Sequence, residues 1–290
     1  MAPNSPALFE PALMASRLQT ALPGFRQVEW VERTRSTNAD LLERARGARQ
    51  MARPWLLGAH LQESGRGRAG RTWQNRAGAN LMFSCAFDVF LPARSLPVLS
   101  PLAGVAACEA LRGLVGEQAR SQLAMKWPND VHWKFAKLAG ILVEATRAGT
   151  TRLSADHHVV IMGMGLNLED ARALSQSLNR RVADWSEVAA EDGQAAQACA
   201  ADIASAVARA WYDAVADAVR GGLAAFPERH AQVDALAGQH VHVLDESHVV
   251  CAGIACGVND AGQLLVRTSQ GPMPVSVGEV SVRPLERGQV

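Results

Sequence analysis

Apolar and polar positions along the chain follow two periods, and the switch between them predicts the elements. Phe25–Arg33 (FRQVEWVER) alternates as a strand. Ser36-Thr37-Asn38 then stands where a helix N-cap belongs, ahead of a helix running to about Arg49. Trp55–Leu61 and Asn80–Phe87 read as apolar strands, and Leu96–Val115, rich in Ala at helical spacing, predicts a long buried helix. Ile141–Thr146 and Val159–Met162 are glycine-bounded strands, and Gln194–Val219 is a second long helix ending at Gly221-Gly222. After Pro227 the texture changes. His240–Leu244, Val249–Cys256, Leu264–Arg267 and Val275–Val282 are short strands separated by turn residues, which predicts a small β-barrel appended to an α+β domain. The boundary is placed near Leu236, giving units 1–235 and 236–290.

Charge changes this picture little. The 29 Lys+Arg nearly balance 28 Asp+Glu for a net +1, so the whole surface is not a nucleic-acid or membrane electrode, although a local basic patch is allowed. The five cysteines are odd in number, scattered and without a C-x-x-C pair, which supports neither a disulfide framework nor a zinc site. No signal peptide or long apolar run is seen, so a cytoplasmic protein without membrane association is expected.

Candidate chemistry is concentrated in a few segments. Gln62-Glu-Ser-Gly-Arg-Gly-Arg-Ala-Gly-Arg-Thr-Trp73 contains G-x-G-x-x-G, but Arg71–Asn80 has no helical period, so a dinucleotide fold is excluded. What remains is a cationic loop, Arg66, Arg68 and Arg71 among glycines, suited to close over an anion, and Ser64–Arg71 is expected to be poorly ordered or displaced without ligand. Lys126-Trp-Pro-Asn129-Asp130 and Lys137-Leu-Ala-Gly-Ile-Leu-Val-Glu144 form a hairpin with a carboxylate and two lysines at neighbouring strand ends. That is either a platform for Mg²⁺ and phosphate or an ordinary turn with solvated lysines. Gly163-Met-Gly-Leu-Asn167 permits close backbone approach, and Trp73 or Trp127 offers a stacking surface, a core role being favoured for Trp127. No nucleophile elbow or Cys/His pair stands out, which favours charge neutralisation over covalent catalysis.

Taken in order, Ser-Thr-Asn, Gln-x-x-Gly-Arg-Gly-Arg-x-Gly-Arg-x-Trp, Lys-Trp-Pro-Asn-Asp, Lys-Leu-Ala-Gly-Ile-Leu-Val-Glu and Gly-x-Gly-x-Asn resemble biotin protein ligase, also called biotin–[acetyl-CoA-carboxylase] ligase, from about Arg33 to Asn167. The resemblance implies an α+β fold with a mixed, largely antiparallel sheet and flanking helices, similar to class II aminoacyl-tRNA synthetases, plus a small C-terminal SH3-like β-barrel. It implies two steps: biotin and Mg·ATP give biotinyl-5′-AMP, and a lysine of the biotin carboxyl carrier protein then takes the biotinyl group. By matching, Ser36, Thr37, Asn38, Gln62, Arg66, Gly67, Arg68 and Lys137 resemble biotin contacts. Arg66, Arg68, Arg71, Trp73, Lys126, Asn129, Lys137 and Asn167 resemble ATP and adenylate contacts. Lys137, Arg68 and Asp130 carry the catalytic resemblance, Asp130 also as the Mg²⁺ group. The chain departs from the family at Ala69, where a further arginine is common, and over Val131–Ala136.

Bifunctional members also carry an N-terminal winged helix-turn-helix. The roughly two dozen residues before the first strand are too few for that module and are broken by Pro3, Pro6, Pro11 and Pro23, so specific DNA binding is not expected. Lipoate–protein ligase or octanoyltransferase is the runner-up enzyme, and a biotin-responsive DNA regulator the binding-module alternative. Oligomeric state is left open, a homodimer included.

Overall fold

A computed structural model describes residues 7–47, 52–147, 153–245, 248–277 and 281–284. The first unit runs α1 (Pro11–Ala21), β1 (Gln27–Thr34), α2 (Thr37–Gly47), β2 (Trp55–Gln62), β3 (Asn80–Phe90), α3 (Leu99–Arg112), α4 (Glu117–Arg120), β4 (Leu123–Lys126), β5 (Asp130–Trp133), β6 (Ala136–Arg147) and β7 (His157–Asn167). It continues through α5 (Ala171–Leu178), α6 (Trp185–Glu191), α7 (Ala200–Gly221) and α8 (Phe226–Ala231). The C-terminal strands are β8 (His240–Asp245), β9 (His248–Val258), β10 (Leu264–Thr268), β11 (Gly271–Val275) and β12 (Ser281–Pro284).

The main sheet has the order β1-β2-β3-β7-β6-β5-β4 and is antiparallel apart from the β1/β2 pair. Strand alternation divides its two faces. Leu81, Phe83, Cys85 and Phe87 of β3, with Met162, Met164 and Leu166 of β7, pack into the large core that also holds Leu102, Val105, Val207 and Trp211 of α3 and α7. The intervening positions face the other way. Ala86, Val159 and Ile161 meet Leu41, Leu42 and Ala45 of α2 in a second, smaller cluster, and Ser84 and Gly163 approach the start of the same helix. The site forms where this second face lacks apolar cover.

Several expectations are corrected. The proline-broken N-terminus contains α1: Pro11 sits in the first turn, where its missing N–H costs nothing, and Met14 and Leu18 bury one stripe. The predicted 96–115 helix begins at Leu99, after a 3₁₀ turn Ala93–Val98 that contains Pro97. The predicted 194–219 helix likewise begins at Ala200, behind a 3₁₀ turn Ala195–Gln197. Strand β7 does not end before Gly163 but runs through it to Asn167, and Lys137 lies inside β6 rather than ahead of it.

In the C-terminal unit the predicted Val275–Val282 strand resolves into β11 and β12. Five strands, in the order β11-β10-β9-β8-β12, then form an open sheet among the described residues, not a closed barrel. The predicted end of α2 at 48–49, part of the turn at 246–247 and the stretch 278–280 lie outside the described residues.

Candidate active site

A cavity of about 260 Å³ opens over β3, β7 and β6, and every residue singled out from the motifs lines it. At one end the wall is neutral and polar. Ser36 caps α2, its Oγ accepting from Ala39 N at 3.5 Å, and this fixes Thr37 and Asn38 on the first turn. Thr37 N donates to Gln62 Oε1 at 2.8 Å. Ser84 Oγ donates to Asn38 Oδ1 at 2.6 Å, so Thr37 Oγ1, 2.7 Å from Ser84 Oγ, is the donor in that contact. Asn38 Nδ2 donates to Leu142 O at 3.2 Å and to Glu144 Oε2 at 2.9 Å. Ser36, Thr37, Asn38 and Ser84 are all buried, which makes their mutual satisfaction obligatory.

The glycines of β7 leave room for this arrangement. A Cβ at Gly163 would fall 2.0 Å from Asn38 Oδ1, and one at Gly165 would fall 2.4 Å from the Trp73 ring. Trp73 therefore lies close against the strand, its buried Nε1 without a partner, and forms an aromatic wall. Asn80 Nδ2 donates to Asn167 Oδ1 at 3.2 Å, and Asn167 Nδ2 donates to Ala183 O at 2.9 Å, which holds Asn167 at the cavity's edge.

The other end is cationic. Among the described lining residues, Arg66, Arg68, Arg71, Lys126, Lys137, Arg180 and Arg283 face a single carboxylate, Asp130. Lys137 Nζ lies 2.7 Å from Asp130 Oδ1 and over the Trp73 ring at 5.6 Å. Its place comes from the hairpin: β5 and β6 are joined by Lys134-Phe135, both at positive φ (46° and 67°), and a register shift follows between Val131 and His132. This resolves the stretch Val131–Ala136 that departs from the family pattern.

Burial pushes the Asp130 carboxyl up, but the charge and hydrogen bond of Lys137 outweigh it and hold the group below its usual range. Burial lowers the Lys126 ammonium; Asp130 opposes this, while Lys137, Arg180 and Arg283 lower it further. Arg68 is lowered mainly by burial. Desolvated like charges gathered around one carboxylate have a large unmet demand for negative charge, and a polyanion meets it.

The Gly/Arg loop is folded over the cavity. Trp73 N donates to Gly65 O at 2.9 Å and Gly67 N donates to Arg71 O at 2.7 Å, which closes a small ladder. Ala69 and Gly70 take left-handed backbone (φ 52° and 67°) at its tip. Arg66 Nη2 meets both Glu144 oxygens at 3.2 and 3.1 Å, and Arg68 Nη1 donates to Asn129 Oδ1 at 3.1 Å. Among the described residues no group of three His, Cys, Asp or Glu gathers as a metal cage.

Ser84, Arg180 and Arg283 line the cavity and were not among the motifs, and Glu144, quoted only as the last residue of the Lys137–Glu144 motif, joins the site through Asn38 and Arg66. For Ser84 the signal is a lone hydroxyl inside NLMFSCAF; for Arg283, in β12 of the C-terminal sheet, no local signal exists.

Comparison with known proteins follows the same division. Residues 30–167 match the Biotin/lipoate A/B protein ligase family, and residues 237–283 match the Biotin protein ligase C terminal domain. The two matches occur in chain order and together span more than half of it. Residues 30–167 belong to the biotin/lipoate A/B protein ligase family.

A biotin--[acetyl-CoA-carboxylase] ligase of Mycobacterium tuberculosis is 36% identical over 51% of this chain and 52% of that protein. The bifunctional ligase/repressor BirA of Escherichia coli is 29% identical over 79% of this chain and 66% of its own length. The chain thus spans about half to two thirds of these curated relatives. The biotin protein ligase of Aquifex aeolicus in complex with biotin and ATP shares the fold, with a TM-score of 0.69, 24% identity, and 90% of this chain and 100% of that chain covered. Within the biotin/lipoate ligase match fall all the motif residues. Arg180 lies outside both matches, and Arg283 is the last residue of the second.

Proposed function

We propose that this protein is an ATP-dependent biotin protein ligase. On this reading it forms biotinyl-5′-AMP and transfers the biotinyl group to a lysine of the biotin carboxyl carrier protein of acetyl-CoA carboxylase. The observation that carries the reading is the position of Lys137 between a neutral polar pocket and a cationic one. A ureido ring has one carbonyl and two N–H groups. Ser36, Thr37, Asn38 and Gln62 offer matched donors and acceptors, and Gly163 leaves the space. The biotin carboxylate then points toward Lys137, and Trp73 faces the adenylate.

In the first step a carboxylate oxygen attacks the α-phosphorus and pyrophosphate leaves. Two anions must meet, so Lys137, Arg66 and Arg68 act by reducing their repulsion, and Lys126 and Arg71 receive the phosphate tail. In the second step the carrier's neutral lysine amine attacks the acyl carbon; the bond to the phosphate oxygen breaks, AMP leaves and the amine proton is lost to solvent. The folded loop excludes water from the mixed anhydride meanwhile.

The Asp130 carboxylate fits Mg²⁺ as a companion of ATP: Lys137 holds one oxygen, and the other suits an ion that keeps its waters and phosphate ligands. Bound there, the ion would neutralise phosphate charge. Residues 1–235 would form the catalytic unit, and 236–290 an SH3-like module that lends Arg283 to the nucleotide end.

The test is purified protein with biotin, MgATP and apo carrier, probed for biotinylated carrier, with lipoate as competitor. Biotin transfer unaffected by lipoate is expected. No transfer, or preferential use of lipoate, overturns the reading.

A further inference from the structure

Past Ala59 the sheet loses a strand on one side of β2. The β2/β3 ladder pairs from Trp55↔Ala86 to Ala59↔Met82, whereas on the other side β1 still pairs with β2 at Thr34↔Gln62. Glu63 N donates to Thr34 O at 2.9 Å. Alternate residues of a strand bond to opposite neighbours, so the N–H and C=O of Gln62 turn toward the side that β3 has left. Asn75 takes that place with its side chain alone. Gln62 N donates to Asn75 Oδ1 at 3.0 Å, and Asn75 Nδ2 donates to Gln62 O at 2.9 Å and to Trp73 O at 3.3 Å. Gly65 leaves room beside this contact, since a Cβ there would crowd Trp73 O at 3.0 Å.

We infer that Asn75 is a positioning residue for both ends of the cavity, a one-residue substitute for a strand that aligns Gln62 and Trp73. Gln62 carries the neutral wall: its Oε1 accepts from Thr37 N at 2.8 Å, and that reach is set by the backbone that Asn75 holds from one side and β1 from the other. Trp73 is tied to the same amide through its carbonyl, and its ring lies against Gly165. No motif includes Asn75, which stands two residues after Trp73. What the two ends bind rests on the proposed ligase reading; the contacts of the amide do not. An amide satisfies an N–H and a C=O at once. A carboxylate satisfies only the N–H, and a protonated carboxylic acid satisfies both again.

Asn75→Leu removes both bonds, and Asn75→Asp makes one of them depend on pH. Amide exchange at Gln62 is followed by NMR in ligand-free protein, with the Glu63 amide as internal reference. It should quicken about tenfold in Asn75→Leu, which leaves that N–H without its acceptor. Biotin binding is measured by calorimetry at about pH 8 and about pH 5.5. Relative to wild type, Asn75→Leu should bind biotin about tenfold more weakly at both values. Asn75→Asp should match that loss at the higher pH, where its carboxylate faces the Gln62 and Trp73 carbonyls. It should recover to within about threefold of wild type at the lower pH, because the same carbonyls favour its protonated form. In turnover, Asn75→Leu should raise the KM for biotin and for ATP together and leave kcat within about twofold. Unchanged Gln62 exchange or unchanged biotin affinity in Asn75→Leu overturns the positioning role, as does an Asn75→Asp loss that is absent or does not ease in acid. A wild type whose Gln62 amide is protected but that binds no biotin overturns the ligase reading alone.

Discussion

At the residue scale the reading depends on one ammonium group and two missing side chains. If Lys137 lowers the repulsion between carboxylate and α-phosphate, Lys137→Ala should slow adenylation by about 10²–10³ and affect transfer from preformed biotinyl-AMP far less. Lys137→Arg should rescue poorly, because the space beside Gly140 and Trp73 suits a compact charge and not a planar fork. Equal loss in both half-reactions, measured by pyrophosphate release and by transfer, would assign Lys137 a structural role. Gly163→Ala tests the other end: a methyl 2.0 Å from Asn38 Oδ1 forces the amide aside. It should raise the KM for biotin at least tenfold, by about 1–3 kcal/mol of overpacking, and an unchanged KM would separate Asn38 from the head-group pocket. These residues were legible in the sequence because each sits in a short motif. Ser84 was not, and Glu144 was legible only as a motif residue without a role, because both act by facing Asn38 from strands distant in the chain.

Elements explain which expectations failed and where stability depends on pH. Strand β7 runs past the glycine boundary at which the sequence predicts its end, Met162. Its glycines mark the strand face that Asn38 and Trp73 cover, while Met162, Met164 and Leu166 continue the core on the other face. Helix α1 was hidden by prolines that flank or start it and do not interrupt it. The β5–β6 hairpin that presents Lys137 carries His132, whose Nδ1 lies 2.9 Å from Phe135 O and whose pKa burial lowers to about 4. The folded value lies below that of the unfolded chain, so between about pH 6.5 and 4 the unfolded state binds more protons and stability is lost as the pH is lowered. The Tm of His132→Gln should decline less steeply over that window than the wild type's, and parallel Tm–pH curves would show that His132 takes up its proton without cost. In the same hairpin Phe135 is exposed at φ 67°. Replacing it with Gly should stabilise the fold by roughly 0.5–1 kcal/mol, the left-handed penalty exceeding the added chain entropy. A loss of stability in chemical denaturation would mean that the Phe135 side chain is doing packing work.

For the molecule as a whole, the decisive fact is that a chain of net charge +1 places seven basic side chains among the described residues lining one cavity, with Asp130 as the lining carboxylate and Glu144 pairing Arg66 at its edge. The average composition hides this, which is why the near-neutral charge understates the site. The C-terminal sheet takes part. Trp127, the aromatic of Lys-Trp-Pro-Asn-Asp, donates from its buried Nε1 to Gly262 O at 3.0 Å, and a Cβ at Gly262 would fall 2.8 Å from Val98. The β9–β10 turn is thus pinned to the strand end that supplies Lys126, and Arg283 on β12 reaches the same cavity and lowers the Lys126 pKa with it. A triphosphate carries several charges into this field and biotin only one. Raising ionic strength from about 0.05 to 0.5 M shortens the screening length several-fold and should raise the KM for ATP much more than that for biotin. Arg283→Ala should raise the ATP KM about three- to tenfold, leave the biotin KM within twofold, and flatten the salt dependence of the ATP KM, because one of the screened charges has been removed. If Arg283→Ala moved both KM values together, the C-terminal sheet would be acting through the packing at Trp127 and not through its charge. A Trp127→Phe variant with the ATP salt slope preserved would distinguish that outcome.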